Sequence, residues 1–352
     1  MRVAMTLRDL LGIEHAIVQA PMAGVQGSAL AIAVSNAGGL GSLPCALLSL
    51  SAMREELERI RAQTNKPYNV NFFCHRPPVP DAERDVAWRS TLAPYYRELG
   101  LDIEAIPVAV AREPFTVEAA DILSEFKPAV VSFHFGLPSP EMLARVRNWG
   151  SKILSSATTV EEGRWLEAHG ADAIIAQGLE AGGHRGMFLS DDLTTQMGTT
   201  ALLPQLVKAV AVPVIAAGAI VDAKAVTAAM ALGAAGVQVG TAYLLCPEAT
   251  TSAVHRAALK SEAARHTALT NLFSGRPARG IVNRVMREIG PMNARAPAFP
   301  LAGAAVAPLR AAAESLGLGD FSPLWSGQNA SGCKEIPAAE LTRELAAGLR
   351  SG

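Results

Sequence analysis

"KILSSATTVEEGRWLEAHGADAIIAQG", residues 152–178, decides the fold. Two short runs of β-branched and small apolar residues, 152–158 and 173–178, flank a segment of helical composition, 159–170. Neither run alternates apolar with polar, so each reads as a strand buried on both faces, as in a parallel sheet. The segment between them opens with Thr159 as an N-cap, carries Glu161 and Glu162 in its first turn and closes on Gly170. A side-chain acceptor and negative charge match the exposed amides of a helix start, and glycine suits the left-handed residue that ends one. Strand, helix, strand makes one βαβ unit.

The same rhythm recurs outward. "AIVQAP" (16–21), "GLGSLP" (39–44), "YNVNFF" (68–73), "AVVSFHF" (129–135), "PVIAAG" (213–218) and "GVQVGTA" (236–242) bring the strand runs to eight, with "VDAKAVTAAMALG" (221–233) a second helix of the same type. Eight such units predict an α/β fold, a closed (β/α)8 TIM barrel rather than an open doubly wound sheet. The barrel spans residues 1–245. Its stretch 75–128 is too long for one crossover and forms a rim insertion, with helices over 81–100 and 116–126. Beyond 245 the periodicity turns helical, as in "TTSAVHRAALKSEAARHTAL" (250–269), and then Pro- and Ala-rich. Residues 246–320 therefore read as a smaller, mainly helical cap or substrate domain, and 321–352 as a segment returning to the barrel.

Composition bounds the partners. Of 352 residues, 50% are hydrophobic and 18% charged, which supports a large core and argues against disorder. A net charge of −1 gives no reason to expect nucleic acid or an anionic membrane surface. No window is apolar over the roughly 18 residues a membrane span needs, and the N-terminal stretch lacks a signal-peptide core. Cys45, Cys74, Cys246 and Cys333 are scattered and read as reduced thiols. The expectation is a cytoplasmic enzyme, monomer or homodimer, acting on a small molecule.

In such a barrel the chemistry sits at the C-terminal ends of the strands. Those ends are rich in Gly, Ser, Thr, Asn and Gln and poor in acids; no His/Asp/Glu cluster has metal-ligand spacing, so no metal is expected. The last two, "AAGAI" and "VGTAY", place Gly218, Ala219, Gly240 and Thr241 where backbone amides can grip a phosphate; as single residues the glycines serve equally as tight turns. Met22, after "QAP", suits either the face of a flat ring or the core. The amides of Asn71 and Gln177 can donate and accept at once, toward a ring with alternating C=O and N–H or toward the barrel itself. His184 follows the sixth strand among Gly182, Gly183 and Gly186, which let a ligand approach the backbone. It is a proton acceptor or an anion's charge partner, or else it pins the glycine loop. His134, at the fourth strand end, is the other acid–base candidate of the pocket.

No P-loop, nucleophile elbow or dinucleotide fingerprint occurs, and "GGLGSL" (38–43) is a turn. Together, "AIVQAPMAGV", "SNAGGLGS", "NVNFFCHRPP", "VVSFHFGLP", the long run from "SSATTVEEG" through "EAGGHRGMF", "GVQVGTAYLLCPEA", "FSGRPARGIVNR" (273–284) and "LWSGQ" (324–328) resemble the nitronate monooxygenase family, formerly 2-nitropropane dioxygenases, in its bacterial class I branch. The resemblance implies a flavoprotein with non-covalent FMN on a TIM barrel, oxidising alkyl nitronates such as propionate 3-nitronate with O2, a detoxifying reaction. It implies one-electron transfer from nitronate to flavin, with His184 at the active site. It places FMN contacts on Met22, Ala23, Gly24, Asn71, Gln177, Gly182, Gly218, Ala219, Gln238, Val239, Gly240 and Thr241. The family commonly has two glycines in the seventh-strand loop; Ala219 here keeps the amide but is strained if that position has positive φ.

Three other assignments share parts of this pattern. An NAD(P)H:quinone or enoyl-thioester reductase on the same flavin barrel takes its electrons from a nicotinamide. A phosphate-barrel isomerase or lyase holds no flavin, and a flavin-binding sensor consumes no O2.

Overall fold

The computed structural model describes residues 6–107 and 113–350; expectations for 1–5, for 108–112 within the rim insertion and for 351–352 lie outside the described residues. Its strands are β1 (Ile17–Gln19), β2 (Gly41–Pro44), β3 (Tyr68–Phe73), β4 (Val130–His134), β5 (Lys152–Ala157), β6 (Ala173–Gln177), β7 (Gly183–His184), β8 (Val214–Ala217), β9 (Gly236–Val239), β10 (Thr267–Thr270) and β11 (Ala278–Ile281). All but β7, β10 and β11 form one parallel sheet in the order β1-β9-β8-β6-β5-β4-β3-β2. A parallel bridge between Val18 and Leu40 joins its two ends, so the sheet closes into the expected TIM barrel. Each of the eight predicted runs contains one barrel strand.

The missing alternation has its cause in burial on both faces. Val18, Val130, Leu154, Ile175 and Ile215 meet inside the barrel, and Leu7 and Leu11 of the first helix (Leu7–Leu11) join the same cluster. Their neighbours Ile17, Val131, Ile174 and Ala216 pack outward against the helices. Toward the C-terminal strand ends the inner face turns polar. There Asn69 donates to Ser42 Oγ (3.0 Å) and Ser132 Oγ (2.9 Å), and Asn71 Nδ2 to Ser132 Oγ (3.0 Å).

Thr159 caps its helix as predicted, accepting from Glu162 N at 3.2 Å, and Gly170 beyond it has φ +94°. Of the two helices expected on the rim, Val117–Phe126 packs between Leu50–Gln63 and Pro140–Asn148 as an ordinary crossover helix. Only Ala82–Glu98 leaves the barrel. The helix that completes the layer after β9 is Ala338–Ala346, whose Ala338, Leu341 and Leu345 pack with Ile17, Leu30 and Val226. The whole stretch 240–337 is thus an excursion between β9 and its helix.

That excursion builds a second core. Trp88, Tyr95 and Tyr96 of Ala82–Glu98 pack with Phe273, Met286, Leu309 and Phe321. Trp88 Nε1 donates to Ala302 O at 3.1 Å and Tyr96 Oη to Ala305 O at 2.7 Å, which ties the helix to Gly303–Ser315. The helical run expected over 250–269 is broken. Helix Ala253–Leu259 stops, Ser261 Oγ accepts from Ala263 N (3.3 Å) to start a fresh 3-10 turn, and Thr267–Thr270 becomes β10. β10 pairs antiparallel with β11, and β11 with β7, a three-stranded sheet outside the expectations. Among the described residues no helix is long and apolar enough to cross a membrane.

Candidate active site

A cavity of about 770 Å³ lies between the C-terminal ends of the barrel strands and the second core. Its floor takes Asn71, Phe73 and Ser132 from β3 and β4, His134, Ser156 from β5 and Gln177 from β6. Met22, Ala23 and Gly24 line it after β1, and Gly182 and His184 after β6. Gly218 and Ala219 after β8, with Gln238, Gly240 and Thr241 on and after β9, line the far side. Of the site residues singled out in the sequence, Val239 and Gly186 do not line it: Val239 is 1% exposed and packs outward into the helix layer, and Gly186 is buried against His134 and Ser156.

His184 belongs to an ordered strand, not to a loose glycine loop. Gly183 and His184 pair with Arg279 and Ala278 of β11, which fastens the barrel's sixth loop to the cap sheet. The His184 carbonyl accepts from Gln177 Nε2 at 2.9 Å and lies 3.1 Å from His134 Nε2. Gln177 Oε1 accepts from Gly186 N at 2.7 Å, so both ends of that amide hold the loop. Gly186 is required by close approach: a Cβ there would lie 2.9 Å from both His134 Cε1 and Ser156 Cβ.

The side chain of His184 is set in an aromatic frame. Ring centroids of Phe73, Phe135, Phe299 and Trp325 lie 6.2, 6.1, 5.4 and 5.6 Å away. Its Nε2 is 2.8 Å from Ser274 Oγ. A hydroxyl can donate or accept, so Ser274 serves His184 in either protonation state. His134 differs. Its Nε2 faces a carbonyl and carries the proton, while Nδ1 meets Ser156 Oγ at 3.1 Å. Burial pushes its pKa down to about 4, so it stays neutral and pins the loop.

Two charged residues buttress this wall. Arg185 is fully buried and donates to Gln196 Oε1 (2.9 Å), Gly178 O (2.7 Å) and Gln177 O (2.7 Å), capping the end of β6. Burial lowers its pKa to about 10, which leaves it charged at neutral pH. Glu162, also buried, accepts from Thr158 N at 2.7 Å and Phe188 N at 2.5 Å, linking β5 to the loop's far end. The sequence pointed to neither role. It offered "FSGRPARG" and "LWSGQ" as motifs without showing that Ser274 and Trp325 meet His184.

On the opposite side, Gly218 has φ +129° and Ala219 φ +56°. The anticipated strain on a non-glycine residue is therefore present, worth on the order of 1 kcal/mol. Thr241 opens the 3-10 helix Thr241–Leu245, and its Oγ1 accepts from Gly327 N at 3.0 Å. Gln238 Oε1 is buried with no hydrogen-bond partner in the protein. A buried acceptor without a donor is costly, and this one belongs to a residue that lines the cavity. Met22 N, by contrast, is engaged, donating to Gln26 Oε1 at 3.0 Å. Among the described residues no group of three His, Cys, Asp or Glu side chains can hold a metal.

Comparisons with known proteins give the family and the fold. The family model described as nitronate monooxygenase matches residues 4–348. A nitronate monooxygenase of Paraburkholderia phytofirmans is 44% identical over 98% of this chain and 94% of its own length. Among solved structures, a nitroalkane oxidase from Streptomyces ansochromogenes superposes with a TM-score of 0.88 at 39% identity, covering 97% of each chain. FabK from Thermotoga maritima follows with a TM-score of 0.73 at 26% identity, over 99% of this chain and 97% of its own.

Proposed function

The chain belongs to the nitronate monooxygenase family, and from that premise we propose that it is an FMN-dependent oxidoreductase that oxidises alkyl nitronates with O2, propionate 3-nitronate among them. The observation that carries this reading is the convergence on one cavity of His184 and every expected flavin contact except Val239.

The residues present fit FMN. The positive-φ turn Gly218–Ala219 and the helix start at Gly240–Thr241 suit the phosphate, and the partnerless Gln238 Oε1 suits a ring N–H. One phosphate cradle without a dinucleotide fingerprint favours FMN over FAD. When bound, the flavin supplies the electron acceptor for nitronate oxidation. The protein's own part is positioning. A nitronate already carries negative charge, so His184 has only to hold its oxygens, with Ser274 orienting the ring at 2.8 Å. For a neutral nitroalkane the same imidazole takes the α-proton. Phe73, Phe135, Phe299 and Trp325 keep water from the ring. Residues 246–320, with helix Ala82–Glu98, act as the substrate cap.

The test begins with the cofactor. Purified protein is expected to be yellow, to release FMN on heating, and to take up O2 with propionate 3-nitronate. It should not be reduced anaerobically by NADH or NADPH. FAD as the main flavin overturns the FMN assignment, and rapid bleaching by either nucleotide moves the chain to a nicotinamide-driven reductase. A colourless protein that takes up no FMN favours an isomerase or lyase.

A further inference from the structure

We propose, building on the nitronate-oxidising reading above, that the end of the substrate away from the nitronate is an uncharged alkyl chain. Medium-chain 1-nitronates are then better substrates than carboxylated ones such as propionate 3-nitronate.

Helix Gly303–Ser315 forms one wall of the cavity. The reacting end lies by its start: a Cβ on Gly303 would come 2.9 Å from the Phe273 carbonyl, and the next residue, Ser274, holds His184. Val306 and Ala307 follow along this wall, and Phe273, Phe321, Leu324 and Trp325 line the same cavity. Among the described residues lining the cavity, Arg310 is the sole Lys or Arg, and it lies about 10 Å along the helix from Gly303. Its charge is already matched: Arg310 Nε donates to Glu314 Oε1 at 2.8 Å, and Ser322 Oγ donates to the same oxygen at 2.7 Å. His255, also in the lining, is 4% exposed and engages the Trp325 carbonyl at 3.0 Å through Nε2. Burial holds it neutral, with its pKa down at about 4.

The carboxylate carbon of propionate 3-nitronate is three bonds from the nitronate nitrogen, a reach of about 4 Å. It stops among apolar side chains, short of Arg310, where an unpaired charge is expensive to desolvate. An alkyl chain of five or six carbons instead covers that wall with methylenes.

The experiment compares kcat/KM for the propane-, butane-, pentane- and hexane-1-nitronates and propionate 3-nitronate on the FMN-loaded enzyme. A roughly fourfold rise per methylene is expected, the equivalent of about 0.8 kcal/mol each. Propionate 3-nitronate should fall at least tenfold below butane-1-nitronate. Ala307→Arg should narrow that gap at least tenfold by placing a cation within reach. A readout independent of turnover uses carboxylates as planar anionic mimics of the nitronate: hexanoate should raise Tm and succinate should not. A flat series, or propionate 3-nitronate as the best substrate, overturns the tail preference and leaves nitronate oxidation standing. No O2 uptake with any nitronate overturns the proposed function, and the hexanoate–succinate contrast then decides the tail preference by itself.

Discussion

Replacing Gln177 by leucine removes the clamp on the His184 loop while keeping the side chain's bulk. Two hydrogen bonds disappear, and they differ in consequence. The buried Gly186 amide loses its acceptor, now 2.7 Å away, which costs about 1–3 kcal/mol. The His184 carbonyl loses the donor at 2.9 Å but keeps His134 Nε2 at 3.1 Å, so that loss is about 0.5–1.5 kcal/mol. The sum, roughly 2–4 kcal/mol, falls on a loop that is also anchored by His134, Arg185, Glu162 at its far end and the two-residue pairing with β11. The loop should therefore open locally before the barrel unfolds. Hydrogen exchange at the Gly186 amide should speed up by roughly 30- to 1,000-fold, and kcat/KM per bound flavin should fall as His184 loses its position. Gln177→Glu is the sharper variant. It keeps an acceptor for Gly186, but only a protonated carboxyl can donate to the His184 carbonyl. Burial beside a carbonyl raises the folded pKa of that group above its unfolded value, so its stabilising contribution is present in acid and lost as pH rises through the folded pKa. The stability deficit against wild type should shrink from pH 8 to pH 5. Unchanged exchange at Gly186 in Gln177→Leu would falsify the clamp.

His184→Asn should lower kcat/KM per bound flavin by about 10- to 100-fold, since asparagine cannot become a cation toward the nitronate. Because the ring packs against Phe299 and Trp325, Tm should drop by a few degrees as well; wild-type activity per flavin would leave His184 a purely structural residue. At Ala219, φ +56° makes glycine neutral or slightly stabilising, whereas Ala219→Val should cost about 2 kcal/mol or more in urea denaturation; equal tolerance of both would contradict the left-handed turn. His134 and His255 have folded pKa values near 4, below the ordinary histidine value, so the unfolded chain binds more protons between about pH 6.5 and 4. Stability should fall as pH drops through that window, by on the order of 1–3 kcal/mol per histidine, and a double His→Gln variant that kept the same acid sensitivity would refute the assignment.

The barrel was legible because its strands obey one rule. Ile174 and Ile175 are both buried, one outward and one inward, and a glycine closes the run at Gly178. The cap sheet follows no such rule. β11 reads Ala278–Ile281 with Arg279 buried inside it, donating to Leu179 O at 2.9 Å, and β7 is two residues of a glycine stretch. No window of local sequence carries that pairing. The catalytic candidate itself was legible from position, at the end of the sixth strand. Its surroundings were not, because Phe73, Phe135, Phe299, Ser274 and Trp325 come from five separate places in the chain and meet only when the cap folds down. Arg185 was in plain view in "GGHRG", but a buried guanidinium held by carbonyls rather than a carboxylate leaves no charge pattern to read.

The excursion between β9 and helix Ala338–Ala346 leaves and re-enters the barrel at nearly one point, where Gly327 N meets Thr241 Oγ1 at 3.0 Å. Segments whose ends are so close can be exchanged as a cassette, since closing the gap costs the barrel little loop entropy. Here the cassette is not self-sufficient. Helix Ala82–Glu98 inserts Trp88, Tyr95 and Tyr96 into it from a different part of the chain. Grafting a relative's 246–327 alone would leave those three aromatic side chains facing a surface not shaped for them. Changing the specificity of this scaffold therefore means moving two segments together, and any natural recombination that moved only one would have met the same obstacle.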